Sequence, residues 1–225
     1  MKQTIDQNGF AILPEQFAPS QLDQLLTDID RETPRRSRAG IRHALALDPV
    51  AAFARQRILS EIAREVLGPD AFPFRATLFD KSPTSNWLVV WHQDTALPFR
   101  ERIDLPGWGP WSVKDGIPYA HAPAEVLRQV VALRVHLDES NLANGPLRVL
   151  PGTHNQSVLS DDEIGNLATR ITPVDCVVRR GGILAMKPLI VHASSKSHSE
   201  MPRRVLSTEY AASPSIAEPL QLAIA

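Results

Sequence analysis

The 225-residue sequence has one cysteine, Cys176, so it cannot form an internal disulfide. It also lacks any run of 18 apolar residues and any apolar N-terminal stretch resembling a signal peptide. Neither sign of charge is in excess, because 24 Lys and Arg residues offset 25 Asp and Glu residues to give a formal net charge of -1. These absences predict a cytoplasmic protein that binds neither nucleic acid nor a membrane.

Composition and length favour one globular domain. The hydrophobic fraction of 43% is enough for a sizeable core, and 225 residues is an ordinary length for a β-rich domain. We therefore expect a single domain over residues 1–225. Arg35, Arg36 and Arg38 form a small basic cluster, which we interpret as a solvated loop.

Helical periodicity dominates residues 1–71, which we expect to form a helical flank that packs on a sheet. A helix is predicted to begin at Pro19-Ser20, because four apolar residues follow at helical spacing: Leu22, Leu25, Leu26 and Ile29. A second helix is predicted from Asp48-Pro49 to Gly68-Pro69, since proline suits a first helical turn and glycine a helix end.

From Phe72 the pattern changes to short apolar runs separated by turn residues. Eight such runs predict a mainly β core over residues 72–212, built as a double-stranded β-helix of the jelly-roll or cupin-like type. The predicted strands are Phe72–Asp80, Trp87–His92, Val130–Leu137, Leu147–Leu150, Val174–Val178, Ile183–Met186, Leu189–His192 and Val205–Tyr210.

The segment 95–123 interrupts this core and is rich in glycine and proline. Long structureless insertions in compact domains are often functional loops, and the aromatic residues here argue against disorder. We interpret the segment as a lid over a site, with Trp108, Trp111 and His121 as candidate substrate contacts. The alternative is a wall that only packs against the core.

A His-x-Asp pattern gives the most informative chemical signal. His92 and Asp94 would point to the same side of a strand, and His192 is available as a third ligand. Two histidines and one carboxylate form the facial triad that holds Fe(II). The pattern is short, however, and it also occurs at His136 and Asp138, so spacing alone leaves both matches open.

Several ordered motifs resemble the phytanoyl-CoA dioxygenase family of Fe(II)/2-oxoglutarate-dependent oxygenases. They are Trp91-His92-Gln93-Asp94, then Asn144-Gly145-Pro146-Leu147-Arg148-Val149-Leu150-Pro151-Gly152-Thr153-His154, then His192-Ala193-Ser194 and finally Arg203-Arg204-Val205-Leu206-Ser207. The resemblance covers about Phe72 to Tyr210. The long segment 95–123 departs from the better-studied members.

The resemblance implies that His92, Asp94 and His192 bind Fe(II), and that Arg203 rather than Arg204 pairs with the distal carboxylate of 2-oxoglutarate. It also implies hydroxylation of a small organic molecule with dioxygen, releasing succinate and CO2. Ser207 would lie on the same strand face as Arg203, because it is four positions further along the strand, and it is a candidate for the same carboxylate.

The alternative function is a non-catalytic metal-binding jelly roll that senses or stores a small ligand. A bare metal site needs no carboxylate clamp, so Arg203 is the residue that distinguishes the two. The sequence leaves the roles of three more polar residues open. Lys81 lies at a strand end, where it could meet an anionic group near the site, although a solvated lysine is the more frequent case. Arg134 and His136 share one strand face; a polar outer face is the more frequent case, and if the face points inward, Arg134 is a further contact for an anion.

Overall fold

Six α-helices precede or connect the strands in the structure, a computed structural model that describes residues 1–32, 40–82 and 85–225. The basic cluster of Arg35, Arg36 and Arg38 lies outside the described residues. The helices are α1 (Lys2–Asn8), α2 (Pro19–Glu32), α3 (Asp48–Ala54), α4 (Arg57–Leu67), α5 (Ala124–Leu127) and α6 (Asp161–Arg170).

Thirteen strands in the described residues form three antiparallel sheets. The strands are β1 (Phe10–Leu13), β2 (Gly40–Ile41), β3 (Phe72–Lys81), β4 (Val89–His92), β5 (Ala96–Pro98), β6 (Trp111–Lys114), β7 (Ile117–His121), β8 (Val130–His136), β9 (Leu147–Val149), β10 (Val174–Cys176), β11 (Ile183–Met186), β12 (His192–Ser194) and β13 (Arg203–Ala211). The major sheet has the order β1-β11-β8-β13-β3-β2, the minor sheet β10-β9-β12-β4, and a third sheet β5-β7-β6.

The alternation of side chains along β8 explains how the layers pack. Val131, Leu133, Val135 and Leu137 are fully buried in a cluster with apolar residues of α2, α3 and α4. Burial of each such side chain stabilises the fold by roughly 1.5–3 kcal/mol. The opposite face of the major sheet meets the minor sheet, where Ala132 joins a second cluster with Leu147 and Val149. Functional side chains on this inner face therefore lie between the two sheets.

The predicted mainly β architecture with flanking helices is confirmed, with two local corrections in the regular elements. The helix expected from Asp48 to Gly68 is two helices, because Gln56 takes an extended conformation (φ -57°, ψ 145°) that interrupts the helical hydrogen bonds. The strand expected to carry both His92 and Asp94 ends at His92. Asp94 lies beyond it, where its backbone N–H donates to the carbonyl of Pro188 at 2.9 Å.

The segment 95–123 is not the structureless loop that its composition suggests. It folds into β5, β6 and β7, in which Trp111 pairs with Ala120 and Pro98 pairs with Tyr119. Pro98 lies in the edge strand β5, where proline is tolerated, whereas Pro118 lies in the central strand β7 and its carbonyl accepts a hydrogen bond from the backbone N–H of Phe99. Within the described residues, no helix is both long and apolar enough to cross a membrane.

Candidate metal centre and adjoining cavities

Three potential metal ligands meet at the end of the minor sheet. His92 and His192 are directly paired across the neighbouring strands β4 and β12, and Asp94 follows His92 by two residues. Asp94 Oδ1 lies 3.5 Å from His92 Nε2, and Asp94 Oδ2 lies 3.5 Å from His192 Nε2. These spacings are close to the roughly 3 Å edge between adjacent ligands that each lie about 2.1 Å from a metal. The three residues therefore fit a divalent metal ion.

Backbone hydrogen bonds orient both imidazoles. Nδ1 of His92 is 2.8 Å from the carbonyl oxygen of Val90, and Nδ1 of His192 is 2.9 Å from that of Ile190. A carbonyl oxygen only accepts, so each Nδ1 carries the proton and each Nε2 keeps a free lone pair. This is the tautomer that binds a metal through Nε2, held by the outer hydrogen bond usual for ligating histidines.

The charge states of Asp94 and His192 also suit metal binding. Burial alone would raise the pKa of Asp94, but His192, His92 and Arg75 together hold it well below its usual range. Burial lowers the pKa of His192 to about 4, an effect that Asp94 only partly offsets. A carboxylate and a neutral imidazole are the forms that bind metals near neutral pH.

The second His-x-Asp match does not form such a site. Asp138 instead accepts two hydrogen bonds from the side chain of Arg204, from Nε at 2.7 Å and from Nη2 at 2.8 Å, and a third from its backbone N–H at 2.9 Å. Among the described residues, the only group of three or more side chains that could hold a metal ion is His92, Asp94 and His192. The structure thus separates two motifs that sequence spacing left equal.

Arg203 and Arg204 lie in opposite environments, as the strand alternation predicts. Arg203 is 6% exposed and points between the sheets, and its buried Nε has no hydrogen-bond partner. Within the described part of the chain, it forms no ion pair, whereas Arg204 is paired with Asp138. Burial and, to a smaller extent, the positive charge of Arg134 lower the pKa of Arg203 to about 10. A buried cation without an anion is costly, so this arrangement favours an anionic ligand.

For Lys81, Arg134 and His136, the structure decides between the alternatives that the sequence leaves open, since all three side chains face the interior. Lys81 is 1% exposed and donates to Ser194 Oγ at 3.0 Å and to the Ser195 carbonyl at 2.6 Å. Arg134 and His136 face inward because Leu133 and Val135 occupy the helix side of β8. His136 is 2% exposed with neither ring nitrogen partnered, and burial lowers its pKa to about 3.

Two cavities adjoin the candidate metal centre. The inner cavity, of about 90 Å³, is bounded by the three candidate metal ligands and by Arg203. It is lined by Phe79, Trp87, Val89, His92, Asp94, Arg134, Leu147, His192, Ser194 and Arg203. The outer cavity, of about 200 Å³, shares Phe79, Asp94 and Arg134 with it. Its other lining residues are Gly40, Ile41, Arg42, Arg75, Thr77, Lys114, Tyr119, Ser207 and Glu209.

Ser207 and the predicted substrate contacts lie away from the inner cavity. Ser207 is on the same face of β13 as Arg203 but lines the outer cavity. Trp108 and Trp111 pack edge-on against the buried Phe99, and neither lines either cavity. The exposed His121 approaches Thr95, with Nδ1 2.6 Å from Oγ1.

From the same segment, Lys114 and Tyr119 line the outer cavity instead. Sequence reasoning missed both, along with the buried pair Arg75 and Glu209, whose side chains are 13% and 14% exposed. Charged residues within the apolar strands β3 and β13 were the available signal for that pair. No spacing distinguishes Lys114 from a solvated lysine.

Comparisons with known proteins agree with this geometry. The family model for phytanoyl-CoA dioxygenase matches residues 5–205. Ectoine dioxygenase from Bordetella parapertussis is 25% identical over 174 residues, which cover 69% of this chain and 49% of that protein. Ectoine dioxygenase from Nocardia farcinica is 22% identical over 238 residues, covering 89% of this chain and 73% of that protein. The chain thus spans about half the length of the Bordetella relative.

Solved structures show the same fold. EctD from S. alaskensis with bound Fe has a TM-score of 0.71 and 19% identity, covering 99% of this chain and 78% of that one. The epimerase SnoN in complex with Fe3+, alpha ketoglutarate and nogalamycin RO has a TM-score of 0.71 and 16% identity, covering 93% of this chain and 81% of that one. The double-stranded β-helix predicted from the strand pattern is therefore confirmed.

Proposed function

The chain belongs to the phytanoyl-CoA dioxygenase family, and from this premise we propose that it is an Fe(II)- and 2-oxoglutarate-dependent dioxygenase that hydroxylates a small organic molecule. One observation carries the proposal: two correctly oriented Nε2 atoms and a carboxylate converge beside a buried arginine that has no ion-pair partner among the described residues. A jelly roll that only stores or senses a metal would need the two imidazoles and the carboxylate, but it would not need the buried arginine.

In this proposal, His92, Asp94 and His192 hold the metal on one face and leave the opposite face open. When bound, the iron together with 2-oxoglutarate and dioxygen supplies the oxidising chemistry, which inserts one oxygen atom into a substrate C–H bond and releases succinate and CO2. Retention of Asp94 as the carboxylate ligand favours hydroxylation over halogenation, since halogenating relatives need that position vacated for a halide.

Arg203 is assigned to the distal carboxylate of 2-oxoglutarate. Its planar guanidinium can bind a carboxylate through two parallel hydrogen bonds, and burial strengthens such a pair. Arg203 lines the inner cavity, and its Nε, which has no hydrogen-bond partner among the described residues, supports a polar ligand there. Contact between Ser207 and the co-substrate stays a prediction. Residues 1–225 are proposed to form one domain, since helices α2 to α4 and the major sheet share a hydrophobic cluster.

Anaerobic titration with Fe(II) tests the metal site. His92→Ala, Asp94→Ala and His192→Ala should each weaken Fe(II) binding by at least about 100-fold, because a facial site needs all three ligands. His136→Ala is the matched control, since it removes a histidine from the other His-x-Asp motif, and it should leave the affinity unchanged. Equal affinities in all four variants would refute the site.

Catalysis is tested by screening small metabolites with the Fe(II)-loaded protein under oxygen. A substrate should increase succinate release and yield a hydroxylated product in equal amounts. Tight Fe(II) binding without any measurable affinity for 2-oxoglutarate would instead favour the storage or sensing function.

A further inference from the structure

Two of the four cationic side chains that line the outer cavity have no anionic partner among the residues that the structure describes. The four are Arg42, Arg75, Lys114 and Arg134. Arg75 Nη2 donates to Glu209 Oε1 at 2.6 Å, and Arg42 Nη1 donates to Asp115 Oδ2 at 3.0 Å. These two pairs are neutral overall. The remaining carboxylate of the lining, Asp94, contacts His92 and His192 instead. Lys114 and Arg134 are therefore the two unbalanced cations of the described lining.

Aromatic rings contact both of the unbalanced cations. Lys114 Nζ lies 4.5 Å from the centroid of the Tyr119 ring, and the Arg134 guanidinium carbon lies 4.9 Å from that of Phe79. A cation–π contact contributes about 0.5–2 kcal/mol, which does not replace an ion pair and leaves the N–H donors available. Burial lowers the pKa of both groups, an effect that the charges of Asp94 and Glu209 only partly offset, so their charged forms are still disfavoured. An anion bound in the cavity would relieve this cost.

The two cations differ in which cavity they face. Arg134 lines both the inner and the outer cavity, so its charge is available to 2-oxoglutarate as well as to a substrate. Lys114 lines only the outer cavity, and it projects from β6, which belongs to a different sheet from β8. Asp94 also lines the outer cavity, so a molecule bound there lies next to the candidate metal centre.

We infer that the substrate is a small organic anion whose charged group is bound by Lys114; this rests on the proposed function. The volume of about 200 Å³ is below the range of about 300–1,000 Å³ usual for drug-sized ligands, so the molecule must be small. Phe79 and Ile41 offer apolar surface for its carbon skeleton. The hydroxyls of Thr77 and Ser207, which also line the cavity, can bind a polar substituent.

Calorimetry on protein loaded with Mn(II) and 2-oxoglutarate under anaerobic conditions tests this inference without turnover. The probes are benzoate, cyclohexanecarboxylate and phenyl phosphate at constant ionic strength, with benzamide and cyclohexanecarboxamide as uncharged matches. At least one anion should bind at least tenfold more tightly than the neutral probes. Comparison of the affinities of the two carboxylates with that of phenyl phosphate then identifies the preferred charged group. Lys114→Met should weaken that binding at least tenfold, while Lys114→Arg should retain it within several-fold.

Lys2→Met is the matched control, because it removes the same charge from α1, where Lys2 Nζ donates to the Val66 carbonyl of α4. The inference is overturned if no anion binds, if neutral probes bind equally well, or if Lys114→Met and Lys2→Met behave alike. Loading with Mn(II) and 2-oxoglutarate is measured first. Failure of that step refutes the proposed function, whereas normal loading without Lys114-dependent anion binding refutes only this inference.

Discussion

Replacement of Arg203 by methionine should raise the stability of the ligand-free protein while weakening 2-oxoglutarate binding. Burial lowers the pKa of Arg203 from its ordinary 12.5 to about 10, which at 1.36 kcal/mol per pKa unit is on the order of 3 kcal/mol against the charged side chain. Methionine keeps much of the apolar stem and removes the charge. We therefore expect the free energy of unfolding to rise by roughly 1–3 kcal/mol, since replacing buried ionic groups by apolar ones often stabilises a protein.

Binding should change in the opposite direction. Removal of one partner from a buried charge pair typically costs about 2–5 kcal/mol. A loss of about 3 kcal/mol corresponds to a roughly 150-fold weaker affinity, because each 1.4 kcal/mol is tenfold. Calorimetry with the Mn(II)-loaded protein measures the affinity, and urea unfolding of the metal-free protein measures the stability.

Arg204→Met is the matched control at the neighbouring position. It breaks the bidentate pair with Asp138, whose side chain is 18% exposed, and should lower the stability by about 1–2 kcal/mol. Its effect on 2-oxoglutarate affinity should stay within about threefold. The two arginine variants are thus expected to move stability in opposite directions.

A ligand that lacks the distal carboxylate completes the test. 2-Oxobutyrate should bind wild-type protein about as weakly as 2-oxoglutarate binds Arg203→Met, and Arg203→Met should not weaken it further. If the variant weakens both ligands equally, Arg203 does not contact the distal carboxylate and the assignment is wrong.

Two further predictions concern the buried Lys81 and the partly buried Trp111. Burial and, to a smaller extent, the charge of Arg203 lower the pKa of Lys81 from 10.5 to about 8. Between pH 8 and pH 10.5 the unfolded chain therefore binds more protons than the folded protein. The free energy of unfolding should rise with pH over this range, by up to about 3 kcal/mol. Urea unfolding from pH 7.5 to 10.5 should show this rise in the wild type and a smaller rise in Lys81→Met. If the free energy of unfolding changes with pH by the same amount in both proteins, the prediction is wrong. Trp111→Ala should lower stability by about 2–4 kcal/mol through loss of its contact with Phe99, whereas Val113→Ala, at a position 71% exposed, should change it little. A Trp111→Ala protein of normal stability that consumes 2-oxoglutarate without forming product would instead restore the lid interpretation.

The strands of the core could be predicted from sequence because each has a local signature. Apolar runs bounded by turn residues located β3, β8, β11 and β13 to within a few residues. The same reasoning failed at Gln56, because the apolar periodicity continues across the break between α3 and α4 and nothing local marks the change of direction. It failed again in the segment 95–123, where glycine and proline masked the pairing of β5, β6 and β7.

The candidate site was predictable in part, where the alternation of side chains along a strand alone decides which way a residue points. Arg203 and Arg204 could be assigned to opposite faces by alternation alone, and the structure gives only Arg204 a carboxylate partner among the described residues. Which face of β8 points inward depends on where the helices pack, so the inward direction of Arg134 and His136 could not be read from their own strand. Lys114 reaches the outer cavity only because a separate small sheet folds against the core.

The hydrogen bonds to backbone carbonyls that orient the two candidate metal-binding histidines have an evolutionary consequence. His92 and His192 each use the carbonyl two residues earlier, and every amino acid carries a backbone carbonyl. Substitutions at Val90 or Ile190 therefore leave the acceptor in place. Lineages that share this scaffold can accumulate changes around the centre, and so acquire new substrates, without losing the orientation of the ligands.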